Sequence, residues 1–408
     1  MVKEREEFSD IHRKINQSNE HMDLLNYDED RSLFPQIYAT GVSEALYKVL
    51  WVLKRQEEQP SRDGTTKEAM NTRFVITEPR DRYIRLEGRK HNVFSQIGET
   101  LWVLSGSSKL SVLSMFLPRA EQFSDDGGKT WRSAYGKRLR AYPAEQQVLV
   151  KRDEFADEVD QLEQVVEKLA LSPETRRAFV VLTYPPVDHY PGIDVVCNVA
   201  LHFLIRNGKL HMSIHNRSND AIWGFSGINF FEFTVLQEVL VSILNNEYNL
   251  DIEVGSYVHN SMSFHIYSRH YERMEGILDN NGIIAPFLPE HHFPFEVSAL
   301  SEMDNTLGYW TDAVLHFSNK KSDGESFTDK ELGEFIQEFM ENIPREGTLN
   351  VYAGATLLYL AKKHGLLEGE LIASFEVWYG YFEEACRVHN VKPKETHFFK
   401  QIEKKLTD

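Results

Sequence analysis

The sequence predicts an α+β fold: a mixed sheet packed with helices, plus a C-terminal helical extension. Three observations carry this. Strand-like and helix-like segments are mixed without the regular βαβ alternation that builds a doubly wound sheet. Residues 199–217 (VALHFLIRNGKLHMSIHNR) read as a hairpin, with Val199, Leu201, Phe203 and Ile205 on one face, Leu210, Met212 and Ile214 on the return, and Asn207-Gly208 as a type I′ turn. Residues 230–246 (FFEFTVLQEVLVSILNN) keep a helical period yet are apolar around most of their circumference, which marks a core helix.

Taken in order, residues 1–35 form a charged arm. Apolar positions from Ile37 to Leu53 recur at helical spacing and predict an amphipathic helix over 36–56. The polar stretch 57–69 reads as a loop, and residues 96–104 as a helix closed by Ser105-Gly106. Residues 118–144, rich in Gly, Asp and basic residues, read as irregular. A periodic helix is expected over 155–170, stopped by Ser172-Pro173, and a short buried strand over 178–186. Residues 256–268 return to strand, EHHFPFE is a loop, and helices are expected from Phe327 onward. The expected organisation is an arm over 1–35, a catalytic domain over 36–289 and a mostly helical extension over 290–408.

Composition narrows the function. The 408 residues carry 45 Lys plus Arg against 62 Asp plus Glu, a formal net charge of −17, which disfavours a nucleic-acid surface while allowing a local Arg cluster for one phosphate. Two cysteines cannot form a disulfide framework, the N-terminus has no signal-peptide core, and no apolar run is long enough to span a membrane, so a cytoplasmic protein is expected. The GKT fragment in GGKTWRS lacks the preceding glycine of a phosphate loop, Phe123 standing there, and the histidines lack zinc-ligand spacing, so no metal is expected.

Two features suggest chemistry. Cys197 lies on the first hairpin strand; with the turn at 207–208 it pairs with residue 218, beside Arg217, whose guanidinium would stabilise a thiolate. A free cysteine is otherwise a small buried hydrophobe. The run RSND at 217–220 is a poor core sequence and suits a loop holding a phosphate and polar ring edges; an exposed turn is the plainer alternative. Cys386, with no such neighbour, reads as structural.

With Cys197, RSND and FHIYSRH (264–270) in view, the chain resembles the thymidylate synthase superfamily over roughly residues 36–275, and within it the phage deoxypyrimidine nucleotide hydroxymethylases. The resemblance implies a thymidylate synthase-like mixed sheet and a homodimer with shared active sites. It implies Cys197 as nucleophile, Glu99 (in GETLWVLSG) ordering water, Tyr135 (in AYGKRLR) in the active site, and Asn229 reading the base. Arg62, Arg217 and Ser218 would hold the nucleotide phosphate, with Arg176 and Arg177 reaching in from the partner. His265 and Tyr267 would bind the sugar hydroxyl, and Asp220 with Gly224 would hold the folate cosubstrate, 5,10-methylenetetrahydrofolate. One extra residue near Ser226-Gly227 is needed to bring Asn229 to the base.

The departures bear on reaction type. Asn198 and Asn216 stand where the synthases typically have His and Gln, the resemblance puts no folate-packing Trp near Arg119–Glu121, and no closing tail is recognisable. Looser folate packing admits water, so the expectation is hydroxymethylation of dUMP at C5, Asn229 favouring uracil. A dCMP hydroxymethylase or a thymidylate synthase on the same scaffold stays open, as does a non-catalytic nucleotide-binding scaffold. The C-terminal helices suit protein partners.

Overall fold

The structure, a computed structural model, describes residues 34–151, 154–282, 284–285, 287–322, 328–342, 347–364 and 368–407. The arm expected over 1–35 lies outside these residues except for its last two, as does Phe327.

An eight-stranded mixed sheet runs in the order β1 (Gln36–Ala39), β3 (Gly64–Ile76), β10 (Glu253–Tyr267), β8 (Lys209–Asn216), β7 (Asn198–Arg206) and β6 (Phe179–Val181). β2 (Glu58–Ser61) pairs with β3, and β9 (Asn219–Asp220) continues beside β10 beyond the end of β8. β1/β3 and β10/β8 are parallel; β3/β10, β8/β7 and β7/β6 are antiparallel. A separate hairpin joins β4 (Tyr142–Lys151) to β5 (Glu154–Val159). The helices are α1 (Val42–Lys54), α2 (Val93–Leu104), α3 (Tyr135–Arg140), α4 (Gln161–Leu171), α5 (Phe230–Asn246), α6 (Tyr271–Asn280), α7 (Leu300–Ser322), α8 (Asp329–Asn342), α9 (Leu349–Lys363), α10 (Glu368–Val388) and α11 (His397–Thr407).

The β7–β8 hairpin forms around Asn207 (φ +52°) and Gly208 (φ +69°), both in the left-handed region a type I′ turn requires. Several expectations are corrected. The predicted helix over 36–56 begins only at Val42, because Ile37 and Ala39 alternate inward on a strand parallel to β3. The predicted loop over 57–69 is instead the β2–β3 hairpin. Its inward residues Thr66, Ala69, Thr72, Phe74 and Ile76 change phase around Asn71 (φ +45°), which hides the strand period. The irregular stretch over 118–144 holds a 3₁₀ turn (Pro118–Phe123) and α3. The helix expected over 155–170 is α4 alone, capped by Asp160, whose side chain accepts from Glu163 N at 3.0 Å; the residues before it are β5. Helices resume at Leu300, well before Phe327.

The layers decide where the site sits. α5 lies on β8 and β10 and is covered by α2; α9 covers α2 in turn, and α7, α8 and α10 surround α9. The stretch Ala221–Asn246 is long and apolar enough to cross a membrane, but it is almost wholly buried inside the protein. The C-terminal helices share one hydrophobic core with the sheet unit. Phe94 on α2 stacks on Tyr359 (4.4 Å between centroids), and Phe295 on Tyr352 (3.5 Å).

A buried ion cluster ties two segments to α5. Arg82 donates to Glu238 Oε2 (2.7 Å), Thr234 Oγ1 (3.1 Å) and Thr234 O (3.2 Å), while His292 Nε2 lies 2.6 Å from the other Glu238 oxygen. These contacts outweigh burial and hold the Glu238 carboxyl at about 2. Removing one partner strands the other: Arg82→Ala should cost about 3–5 kcal/mol in urea unfolding at neutral pH. Because the Glu238 pKa is depressed by folding, its contribution is present above the ordinary glutamate range and disappears as pH falls toward about 2. A loss below about 1 kcal/mol for Arg82→Ala would place the network outside the stability core.

Candidate active site

Cys197 is the residue just before β7, not within the strand. Asn198 pairs with Asn216, but Ala200 pairs with His215, so a bulge shifts the ladder by one. Arg217, rather than residue 218, therefore comes opposite Cys197, and its N–H donates to Cys197 O at 2.9 Å. Counting from the turn misses this because it assumes an unbroken ladder. The Arg217 guanidinium folds back to donate to Val196 O (2.8 Å) and Val195 O (2.7 Å), which sets it 3.6 Å from Cys197 Sγ. Burial pushes the half-buried thiol above its ordinary value; Arg217 and Arg62 oppose the rise, while Asp194 and Asp220 add to it. Asp194 also accepts from Trp131 Nε1 at 2.7 Å.

Behind the thiol lies a polar layer. Asn198 is fully buried, with no partner for either side-chain atom among the described residues. Asn216 donates to Asn260 O at 3.0 Å and lies 3.2 Å from His259 Nε2; His259 Nδ1 is 3.2 Å from Tyr257 Oη. Burial pushes His259 down to about 3, so this chain is uncharged. Tyr135 from α3 faces the same space. Burial pushes its hydroxyl well above the ordinary value, with Cys197, Glu232 and Asp194 adding to the rise and the Asn198 backbone opposing it.

Residues Ala221–Asn229 form a π-helix running into α5, and Phe230 N donates to Phe225 O five residues back. Such a turn can absorb one additional residue without ending the helix, and it lies where the resemblance calls for one. Asp220 caps it, its Oδ1 accepting from Ile222 N (2.6 Å) and Trp223 N, while Oδ2 is buried and unpartnered among the described residues. Buried Arg89 donates to Ser226 Oγ (3.0 Å) and Ile222 O, and Gln96 on α2 donates to Gly227 O (2.6 Å). The wider turn thus keeps its carbonyls paired.

The π turn delivers Asn229 into a chain of side chains. Asn219 Nδ2 donates to Asn229 Oδ1 (2.9 Å), and Asn229 Nδ2 donates to Glu232 Oε1 (2.8 Å). Gly224 leaves room for this chain, since a Cβ there would stand 2.8 Å from Asn219 Oδ1. Glu232 and Glu99 are buried together, and the Oε2 atom of each has no partner among the described residues. Two carboxyls in one dry space cannot both ionise. Burial raises both, Glu232 to about 7 and Glu99 further still under the Glu232 charge, so Glu99 keeps the proton.

Other predicted residues ring this centre. Ser218 lies between β8 and β9, Arg217 O accepts from Ser263 N at 3.2 Å, and His265 pairs with Asp220 across β10. His265 lies edge-on to Tyr267, at 4.9 Å, and Arg269 covers Tyr267 at 4.0 Å. Arg62 sits at the exposed β2–β3 turn, 3.8 Å from Asp63, close enough to act on Cys197 and Tyr267. Arg176 and Arg177 are exposed before β6, and no ion pair involves their guanidinium groups among the described residues. The sequence reading missed Glu232, Asn219, Arg89 and Gln96. Asn219 left a trace as part of the RSND run, without a role of its own, and Glu232 left one as a carboxylate at the apolar start of a core helix. Among the described residues no group of three His, Cys, Asp or Glu could hold a metal ion.

A family model described as thymidylate synthase matches residues 46–291, more than half of the chain. The chain belongs to the thymidylate synthase family. Among family members it is similar to the deoxyuridylate hydroxymethyltransferase of Delftia phage PhiW-14, with 30% identity over 356 residues, 83% of this chain and 91% of that protein. This similarity is long enough to run beyond the family match into the C-terminal helices. The proteins of the same name from Bacillus phage SP01 and Pseudomonas phage M6 are 34% and 29% identical over 222 and 241 residues, covering 54% and 59% of this chain and 55% and 62% of their own lengths.

The raised thiol has a measurable signature. The alkylation rate of Cys197 by iodoacetamide should climb with pH and level off only above the ordinary cysteine value. Arg217→Ala removes the largest opposing influence and should move the midpoint still higher. A midpoint unchanged by that substitution would separate Arg217 from the thiol.

Proposed function

We propose that the protein is a deoxyuridylate hydroxymethyltransferase that converts dUMP to 5-hydroxymethyl-dUMP with 5,10-methylenetetrahydrofolate. The observation that carries the reading is the convergence of Cys197, Arg217, Asn229 and the Glu99–Glu232 pair in a chain whose relatives bear that name.

The phosphate is held by Arg62, Arg217 and Ser218, and by Arg176 and Arg177 of a second copy in a homodimer; charge-assisted contacts of this kind outweigh the acidic net charge. His265 and Tyr267 take the sugar hydroxyl, and Asn229 takes the base. The Cys197 thiolate adds to C6, and the C5–C6 electron pair moves to C5, making it the carbon nucleophile. Asp220 Oδ2, buried with no partner, and the neighbouring Phe123 and Trp223 rings suit a flat heterocycle with N–H donors. 5,10-Methylenetetrahydrofolate would supply there the one-carbon unit that C5 takes up; loss of the C5 proton and cleavage of the bond from that carbon to the folate nitrogen would leave an exocyclic methylene on the base and free tetrahydrofolate. Glu99 holds the water that adds to this methylene, and elimination of Cys197 restores the C5–C6 double bond.

The test is mass spectrometry of products from purified protein supplied with the folate and equal dUMP and dCMP. The expected product is dUMP carrying a hydroxymethyl group. A methyl group would mean hydride transfer and a synthase; a hydroxymethyl group on dCMP would overturn the base choice. Glu99→Gln should lower product formation by roughly 10²–10⁴-fold, and full activity in that variant would remove Glu99 from the water step.

A further inference from the structure

We propose that Glu232, together with Asn219, locks the Asn229 carboxamide in one of its two orientations and so fixes the choice between uracil and cytosine. The inference rests on the dUMP reading above. It makes Glu232 a positioning residue that acts on the base through Asn229.

A carboxamide offers two N–H donors and two lone pairs on oxygen. In Asn229 one N–H goes to Glu232 Oε1 (2.8 Å) and one lone pair accepts from Asn219 Nδ2 (2.9 Å). What remains is one donor and one acceptor side by side, in an order set by these neighbours. The facing edges of the two bases differ in that order: uracil presents N3–H and O4, whereas cytosine presents a bare N3 and an amino group. Turning the amide over would exchange its nitrogen and oxygen. It would then set Oδ1 against the Glu232 carboxylate, a repulsive contact in a buried site, and Asn219, whose own Oδ1 has no partner among the described residues, would have to turn over with it. All three side chains are buried, so water is a poor substitute for either partner. Glu99 keeps its proton, so Glu232, raised by burial only to about 7, is the member of the pair that ionises as pH rises, and an ionised carboxylate can only accept. Gly224 completes the arrangement, because a Cβ there would also stand 3.2 Å from Asn229 Oδ1.

The lock can be reversed without changing side-chain size. In Glu232→Gln the neighbour can donate as well as accept. In the double variant Asn219→Asp/Glu232→Gln the acceptor and the donor have changed places, so the turned amide is the paired one. The measurement is the ratio of kcat/KM for dUMP over dCMP, followed as tritium release from C5-labelled nucleotides, with the ratio of the two affinities from calorimetry. Glu232→Gln should lower the preference for dUMP by at least about tenfold, and the double variant should prefer dCMP. A structural role alone would weaken both nucleotides in proportion; an unchanged ratio in Glu232→Gln, which needs no second substitution to fold, overturns the lock. If the wild-type protein does not favour dUMP, the dUMP reading fails instead, which the unsubstituted enzyme reveals first.

Discussion

A helix with no face open to water must find a partner inside the protein for every polar side chain it carries. From Phe230 to Val241 α5 is such a helix, and over that length it carries Glu232, Thr234, Gln237 and Glu238. Each is answered by a different part of the chain: Glu232 by Asn229 of the π turn, Thr234 and Glu238 by Arg82, Glu238 also by His292, and Gln237 by the carbonyls of Leu210 and Gly255 at 2.8 and 3.0 Å. The active site, the sheet and the approach to the C-terminal helices are therefore registered on one rod. A change in its rotation would unpair groups in all three at once.

The site built at the head of this rod is electrostatically restrained. The Cys197 thiol, the nucleophile of the proposed reaction, lies above its ordinary value, seldom ionised at neutral pH but the stronger nucleophile when it is. The site's two carboxyls share a space that admits one charge, which separates them: Glu232, the first to ionise, accepts from the Asn229 amide, and Glu99 keeps its proton. The C-terminal helices contribute to this dryness from a distance, since Phe94 and Tyr359 close the far side of the helix that carries Glu99.

What was legible in the sequence were the features with local causes. The hairpin announced itself through Asn207-Gly208 and strict alternation, and α5 through unbroken apolar period. The Cys197–Arg217 pairing was legible to within one residue, and the error came from a bulge that no local pattern signals. β3 was lost because Thr66 and Thr72, polar by type, are buried beside β10 and because Asn71 breaks the alternation. The Asn219–Asn229–Glu232 chain was not legible as a unit, since its members come from a strand end, a π turn and a helix and meet only when these pack together.

The π turn also bears on how relatives of this protein are to be compared. In an ordinary helix an added residue rotates everything beyond it by about 100° and would carry the base-reading amide out of the site. Here the widened turn takes up such a rotation before α5 begins, so Asn229 stays in register with Asn219 and Glu232. The ancestry of such sites is written in helical geometry rather than in residue count.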